Sequence, residues 1–258
     1  MNILLVGCGK MGGALLENWK RGDEAFAIVD PFLEAAPDGV SLHDRREEVA
    51  ERRFDVIVAA IKPQMIDEVM PDYSSMFTDE GYLLSIAAGC SISRLKQVSG
   101  GRPVIRVMPN LPAAIGAGVS ALCTSEDTSE AQLGHARAMM ERTGTVITVE
   151  DEDAIDRFTA VAGSGPGYVF ELARAYTEAA MALGFDEDQA RAMVLGTLQG
   201  TVAMAAGSDE KLETLRNSVT SKGGTTAAGL NALNGKGELS DLLSATLQAA
   251  YDRAVELR

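Results

Sequence analysis

Over roughly the first 150 residues, short hydrophobic runs alternate with amphipathic stretches. Ile3–Val6, Phe26–Val29, Val56–Ile61, Tyr82–Ala87 and Val104–Met108 are mainly apolar and bounded by polar or glycine residues. Near-continuous runs of this length suit strands buried on both faces. Between them, Met11–Lys20, Pro63–Phe77 and Ser91–Val98 repeat their apolar positions at helical spacing. A helix around Ser129–Arg142 and a strand over Val146–Val149 close the pattern. Strand–helix alternation of this kind predicts a doubly wound α/β fold, with a mostly parallel sheet and helices on both faces.

The pattern changes after Glu150. Ala, Leu, Met and Gly dominate, and β-branched runs largely disappear. Residues 151–258 are therefore expected to be all helix, and the chain to divide into domains at 1–150 and 151–258. Ser164–Gly167 interrupts a helical pattern, and Pro166 fits the first turn of a new helix that ends at Gly184. Asp186 is an N-cap with Gln189 as its capping-box partner. That next helix ends near Gly207, and a shorter one leads into the glycine-rich loop Ser221–Thr226. A last helix covers about Glu238–Leu257. Helices rich in small residues pack closely, and a second chain often completes such a core.

Charge and composition narrow the function. The 258 residues are 46% hydrophobic and carry a net charge of -14. Neither nucleic acid nor an anionic membrane is an expected partner. Three cysteines (Cys8, Cys90, Cys123) and two distant histidines (His43, His135) form no metal-ligand spacing, disulfide framework or Ser-His-Asp triad. No apolar run reaches bilayer length, and no separate signal region precedes the first strand, so the expected location is cytoplasmic.

The first chemistry lies directly after the first run. Gly7-Cys8-Gly9-Lys10-Met11-Gly12 is G-x-G-x-x-G between a strand and a helix. Gly7 permits the turn, Gly9 lets the backbone approach a pyrophosphate, and Gly12 lets the helix sit close to the strand. The helix N-terminus then offers free N–H groups and the positive end of its dipole. Asp30 ends the second strand, where a carboxylate accepts hydrogen bonds from the adenosine ribose and repels a 2′-phosphate. Pro31, Phe32 and Leu33 follow it without an Arg. The local chemistry favours NADH, with NADPH left possible if Arg45, Arg46, Arg52 or Arg53 folds back.

Further segments follow later strands: Ala60-Ile61-Lys62-Pro63-Gln64, Ser85-Ile86-Ala87-Ala88-Gly89 and Arg106-Val107-Met108-Pro109-Asn110-Leu111-Pro112. The carboxyl ends of the strands form the ligand crevice in such sheets, so these segments are expected to converge there. Together with Thr159–Tyr168 and Val219–Leu230, they resemble the pyrroline-5-carboxylate reductase family over nearly the whole chain. The Gly-Gly-Thr-Thr segment is the most specific part. The resemblance implies a Rossmann-type N-terminal domain and a helical domain through which chains dimerise, as a homodimer or a larger oligomer built from dimers. It implies hydride transfer from NAD(P)H to the C=N bond of 1-pyrroline-5-carboxylate, a cyclic imino acid, giving L-proline. Gly7–Gly12, Ala60–Pro63 and Ala87–Gly89 would contact the cofactor. Gly224, Thr225 and Thr226 would receive the substrate, and Glu152 matches an acidic residue near it. Thr226 would bond the ring nitrogen, and consecutive N–H groups would take the carboxylate. Lys222, Leu111 and Gly167 depart from the usual Pro, Thr and Ala, which bears on substrate choice. The alternatives are a related two-domain dehydrogenase or imine reductase, and a non-catalytic nucleotide-binding protein on the same fold.

Overall fold

The computed structural model describes residues 1–258, which fall into two compact units: Met1–Pro166 with Ala250–Arg258, and Gly167–Ala249. The first is built on an eight-stranded sheet of order β3-β2-β1-β4-β5-β6-β7-β8. Its strands are β1 (Asn2–Val6), β2 (Ala25–Val29), β3 (Ser41–His43), β4 (Phe54–Ala59), β5 (Phe77–Ser85), β6 (Val104–Met108), β7 (Gly118–Thr124) and β8 (Gly144–Thr148). Only the β6–β7 pair is antiparallel.

The continuous apolar runs become strands covered on both faces. Alternate residues divide between two cores: Leu4, Val6, Ile57 and Ala59 enter one, and Ile3, Leu5, Val56 and Val58 enter the other. The second core is closed by α1 (Lys10–Trp19) and, after α2 (Ile66–Val69) and α3 (Ile92–Val98), by α4 (Glu130–Glu141). The first is closed by the segment around α2 and by α3.

Several elements differ from the pattern. Pro63–Phe77 is not one helix but α2 between two 3₁₀ segments, Pro63–Met65 and Met70–Met76. Pro71 has no N–H and cannot continue α2 through its own turn. The strands β3 and β7 are additional. β7 carries a serine and a threonine and starts at a glycine, so its period is blurred, yet it pairs along both edges. The strands expected over Val56–Ile61 and Tyr82–Ala87 end at Ala59 and Ser85, which leaves Ala60–Pro63 and Ile86–Gly89 as loops.

Beyond β8 the chain is helical: α5 (Glu152–Phe158), a π-helical turn (Thr159–Gly163), α6 (Gly165–Ala182), α7 (Glu187–Ala206), α8 (Leu212–Ser218), α9 (Thr225–Asn234) and α10 (Glu238–Glu256). Asp186 caps α7 in a full capping box with Gln189. Within Gly167–Ala249, only Ala180, Ala190 and Val194 are buried hydrophobics, whereas Phe170, Leu183, Val202, Met204 and Leu242 are exposed. No helix is long and apolar enough to cross a membrane.

Candidate active site

The strand order reverses beside β1, where β2 lies on one side and β4 on the other. Crevices at such switch points are where open α/β sheets take their ligands. A cleft of about 450 Å³ lies there, lined among others by Gly7, Gly9, Asp30, Ala60, Ile61 and Lys62.

The glycine loop has the expected geometry. Gly7 adopts φ +83°, and a Cβ there would lie 2.7 Å from Ile61 Cγ2 and 3.0 Å from the Ala60 carbonyl oxygen. A Cβ on Gly12 would press on Ala60 Cβ at 3.1 Å, so α1 packs close to β4. No heavy atom lies within 4 Å of a Cβ built on Gly9, which leaves its approach open. Gly9 is also the N-cap of α1, and no side chain occupies the N–H groups that follow. An open backbone and a bare helix N-terminus fit a dinucleotide phosphate.

Asp30 takes part in that loop. Its Oδ2 accepts the Cys8 N–H at 2.7 Å, and its Oδ1 accepts the Phe32 N–H at 2.9 Å. Burial first, then Asp30 and Glu17, push the Cys8 thiol pKa up, so the thiol stays protonated. Of the four arginines considered, Arg45 and Arg46 line the cleft. Arg46 Nε donates to the Asp72 carbonyl at 2.7 Å. Arg52 stacks over the Phe54 ring, 5.0 Å from its centroid, and Arg53 donates to the Arg52 carbonyl. Tyr73 and Glu47, which sequence pattern did not single out, complete part of the wall.

The other expected cofactor residues are placed as follows. Cys8, Lys10, Met11 and Gly12 continue the loop into α1. Pro63 opens the 3₁₀ turn after β4. Ala87, Ala88 and Gly89 follow β5, one strand beyond the cleft, where Ile86 N–H donates to the Ala59 carbonyl at 3.1 Å. The Met-Pro-Asn segment and the π-turn meet through Asn110, which is buried: Nδ2 donates to the Ala162 carbonyl at 3.1 Å, and Oδ1 accepts the Val119 N–H at 2.9 Å. Gly163 lies against Met108, where a Cβ would approach Met108 Cε to 3.1 Å. A π-helical turn is a frequent companion of functional sites.

Glu152 does not stand free. Its Oε1 accepts the Ile92 N–H at 2.9 Å and Arg106 Nη1 at 2.8 Å. In the second unit, Gly224 is the N-cap of α9, and Thr225 and Thr226 are its first two residues. Neither hydroxyl is spent on capping that helix, because no side chain caps it. Both threonines are exposed, as is Lys222.

A glycine loop on a switch-point crevice, with an acidic side chain directly after β2, defines a dinucleotide-dependent oxidoreductase. Comparison with known proteins gives the family. Residues 152–257 match the family described as pyrroline-5-carboxylate reductase dimerisation, and residues 2–89 match that described as NADP oxidoreductase, coenzyme F420-dependent. The pyrroline-5-carboxylate reductase of Vibrio alginolyticus is 38% identical over 81% of this chain and 77% of its own. That of Haemophilus influenzae is 35% identical over 99% of this chain and 97% of its own. The solved pyrroline-5-carboxylate reductase of Coxiella burnetii superposes with a TM-score of 0.92 at 29% identity, covering 99% of this chain and 98% of that one. The chain belongs to the pyrroline-5-carboxylate reductase family.

Proposed function

We propose that the protein reduces the C=N bond of 1-pyrroline-5-carboxylate to L-proline. The observation that carries the reading is the open cradle of Gly7–Gly12 on α1, in a chain of this family. The bound nicotinamide supplies the hydride that the imine carbon takes up. Gly7–Gly12, Ala60–Pro63 and Ala87–Gly89 hold the dinucleotide. Gly224 and the first N–H groups of α9 accept the substrate carboxylate, where the helix dipole favours an anion. The Thr226 hydroxyl, free of any capping duty, donates to or accepts from the ring nitrogen, with Thr225 beside it. The protonated imine is already electrophilic, so the chain's contribution is positioning rather than proton transfer by a strong acid. Glu152 serves at one remove: with its oxygen tied to Arg106 and the Ile92 amide, it holds the turn after β5 instead of touching substrate.

Cofactor choice is a contest within one cleft wall. Each Asp30 oxygen has one backbone N–H partner and keeps a lone pair for a ribose hydroxyl. Its charge opposes a 2′-phosphate, while Arg45 and Arg46 are the arginines in the wall that would receive one. Asp44 and Glu47, in the same wall, add to the acidic side. NADH is the preferred cofactor on this balance, and NADPH is the weaker one. The exposed apolar surface of Gly167–Ala249 is covered by a second copy of the chain, consistent with the dimerisation description of residues 152–257. The test is oxidation of NADH and of NADPH, in parallel, in the presence of pyrroline-5-carboxylate, with proline measured as product. Cofactor oxidation without proline, or none at all, overturns the reading.

A further inference from the structure

The Arg106–Glu152 pair belongs to a larger buried charge cluster beneath α5, whose other members, Asp156 and Arg258, have no part in the chemistry above. Arg106, in the middle of β6, is 3% exposed, and Asp156 on α5 is 2% exposed. Arg106 Nη1 bonds Glu152 Oε1 at 2.8 Å, and its Nη2 stands 3.8 Å from Asp156 Oδ1. The second Asp156 oxygen makes no hydrogen bond and faces Arg258 Nη1 at 3.3 Å. A carboxylate buried this deeply is costly unless cations balance it. Arg258 is one of only two that do.

The segment that carries Arg258 also touches the loop after β5. Tyr251 Oη donates to Asp153 Oδ1 at 2.6 Å, on the same helix as Asp156. Gly89 adopts φ +70°, and a Cβ there would lie 2.5 Å from the Leu257 carbonyl oxygen. The loop is anchored at its start by Ile86 N–H on Ala59 and Ala87 N–H on Ser85 Oγ. It is anchored at its end by the Ser91 cap of α3 and by Ile92 N–H on Glu152. Between these anchors, Leu257 packs directly on Gly89.

We propose that Tyr251–Arg258 is a strap that fixes the Ala87–Cys90 loop, with Arg258 and Asp156 as positioning residues for the nicotinamide end of the cofactor. This rests on the assignment of Ala87–Gly89 to the cofactor. The ion pair fastens the strap to α5, and the Leu257 backbone transmits its position to Gly89. The adenosine end, held by Gly7–Gly12 and Asp30, lies in a different part of the sheet edge and is untouched.

The experiment compares two probes, NADH and ADP-ribose, the latter lacking the nicotinamide. Arg258→Gln is expected to weaken NADH binding about fivefold, a readily measured change in Kd, and to leave ADP-ribose binding unchanged. Arg258→Lys, which keeps the charge, is expected to restore most of the NADH affinity. Equal weakening of both probes, or of neither, overturns the strap. Should Arg258→Gln fail to fold, Asp156→Asn/Arg258→Gln removes the unpaired buried charge and carries the same comparison. Failure of the parent protein to oxidise NADH with pyrroline-5-carboxylate counts against the functional reading itself. A parent that turns over, with a variant that binds both probes normally, counts against the strap alone.

Discussion

Asp30 holds the glycine loop through Cys8 and lines the cleft with the same side chain. Asp30→Ser therefore tests selectivity and loop order together. The parent should favour NADH by about tenfold in kcat/KM, equivalent to roughly 1.4 kcal/mol. The variant should narrow or reverse that ratio, mainly through a lower KM for NADPH. A parent that uses NADPH better would assign the choice to Arg45 or Arg46 instead. Thr226→Ala separates substrate from cofactor. Loss of a hydroxyl contact worth on the order of 1 kcal/mol or more should lower turnover about tenfold while NADH affinity holds. An unchanged rate in a folded variant moves the contact to Thr225 or to the backbone. At this scale the sequence was readable where a motif has a fixed geometry, as in Gly7, Gly9 and Gly12. It was less readable where a side chain finds its partner across the fold. Arg106 breaks an otherwise apolar strand, and Glu152 and Asp156 are spaced to share one helix face, yet nothing local pairs them. That pairing needs β6 and α5 to be neighbours.

Elements were legible in proportion to how strongly burial marks them. The five continuous runs became β1, β2, β4, β5 and β6, since both faces of each are covered. The antiparallel β7 was not foreseen, because Gly118, Ser120 and Thr124 dilute its apolar pattern. What places β7 is a side chain from the preceding turn: Asn110 Oδ1 accepts its Val119 N–H, while Nδ2 reaches the π-turn at Ala162. Asn110 thus ties β6, β7 and the π-turn at one buried point. Asn110→Ala should strand a backbone donor and a backbone acceptor and cost about 2 kcal/mol, read as a lower thermal midpoint. Asn110→Asp keeps the bond to Val119 but sets a carboxylate against the Ala162 carbonyl, so it should be no more stable than the alanine variant at neutral pH. Equal stability of Asn110→Ala and parent would show that water replaces both bonds.

For the whole molecule, acid is the most informative perturbation, because a half-buried ionic group joins the amino end of β2 to α4. Glu24 lies between Arg142 and His135: Arg142 donates to both of its oxygens at 2.7 and 2.9 Å, and His135 Nε2 stands 3.3 Å away. Tyr82 Oη shares a 2.9 Å hydrogen bond with His135 Nδ1, and Arg142 also reaches the Trp19 carbonyl. Burial lowers the His135 pKa from 6.5, and this outweighs the attraction of Glu24. Burial raises that of Glu24 from 4.5, but the Arg142 hydrogen bonds outweigh it and the net shift is downward. Both groups thus bind protons more weakly folded than unfolded. Their contribution is fully present above the unfolded values and is lost as pH falls. His135 acts first, from about pH 6.5 downward, and Glu24 follows below about pH 4.5. Asp156 has the opposite sign: burial, the largest influence, raises its pKa from 3.8, so its protonated form is favoured in the fold. Its contribution grows on acidification and partly offsets the Glu24 loss at low pH. The thermal midpoint should therefore begin to fall between pH 7 and 5.5, before ordinary carboxylates titrate. His135→Gln, which keeps a polar group beside Tyr82, should flatten that first limb and leave the steeper loss below pH 4.5 in place. If the variant and the parent fall together between pH 7 and 5.5, the first loss belongs to another group and His135 is not the acid sensor of this fold.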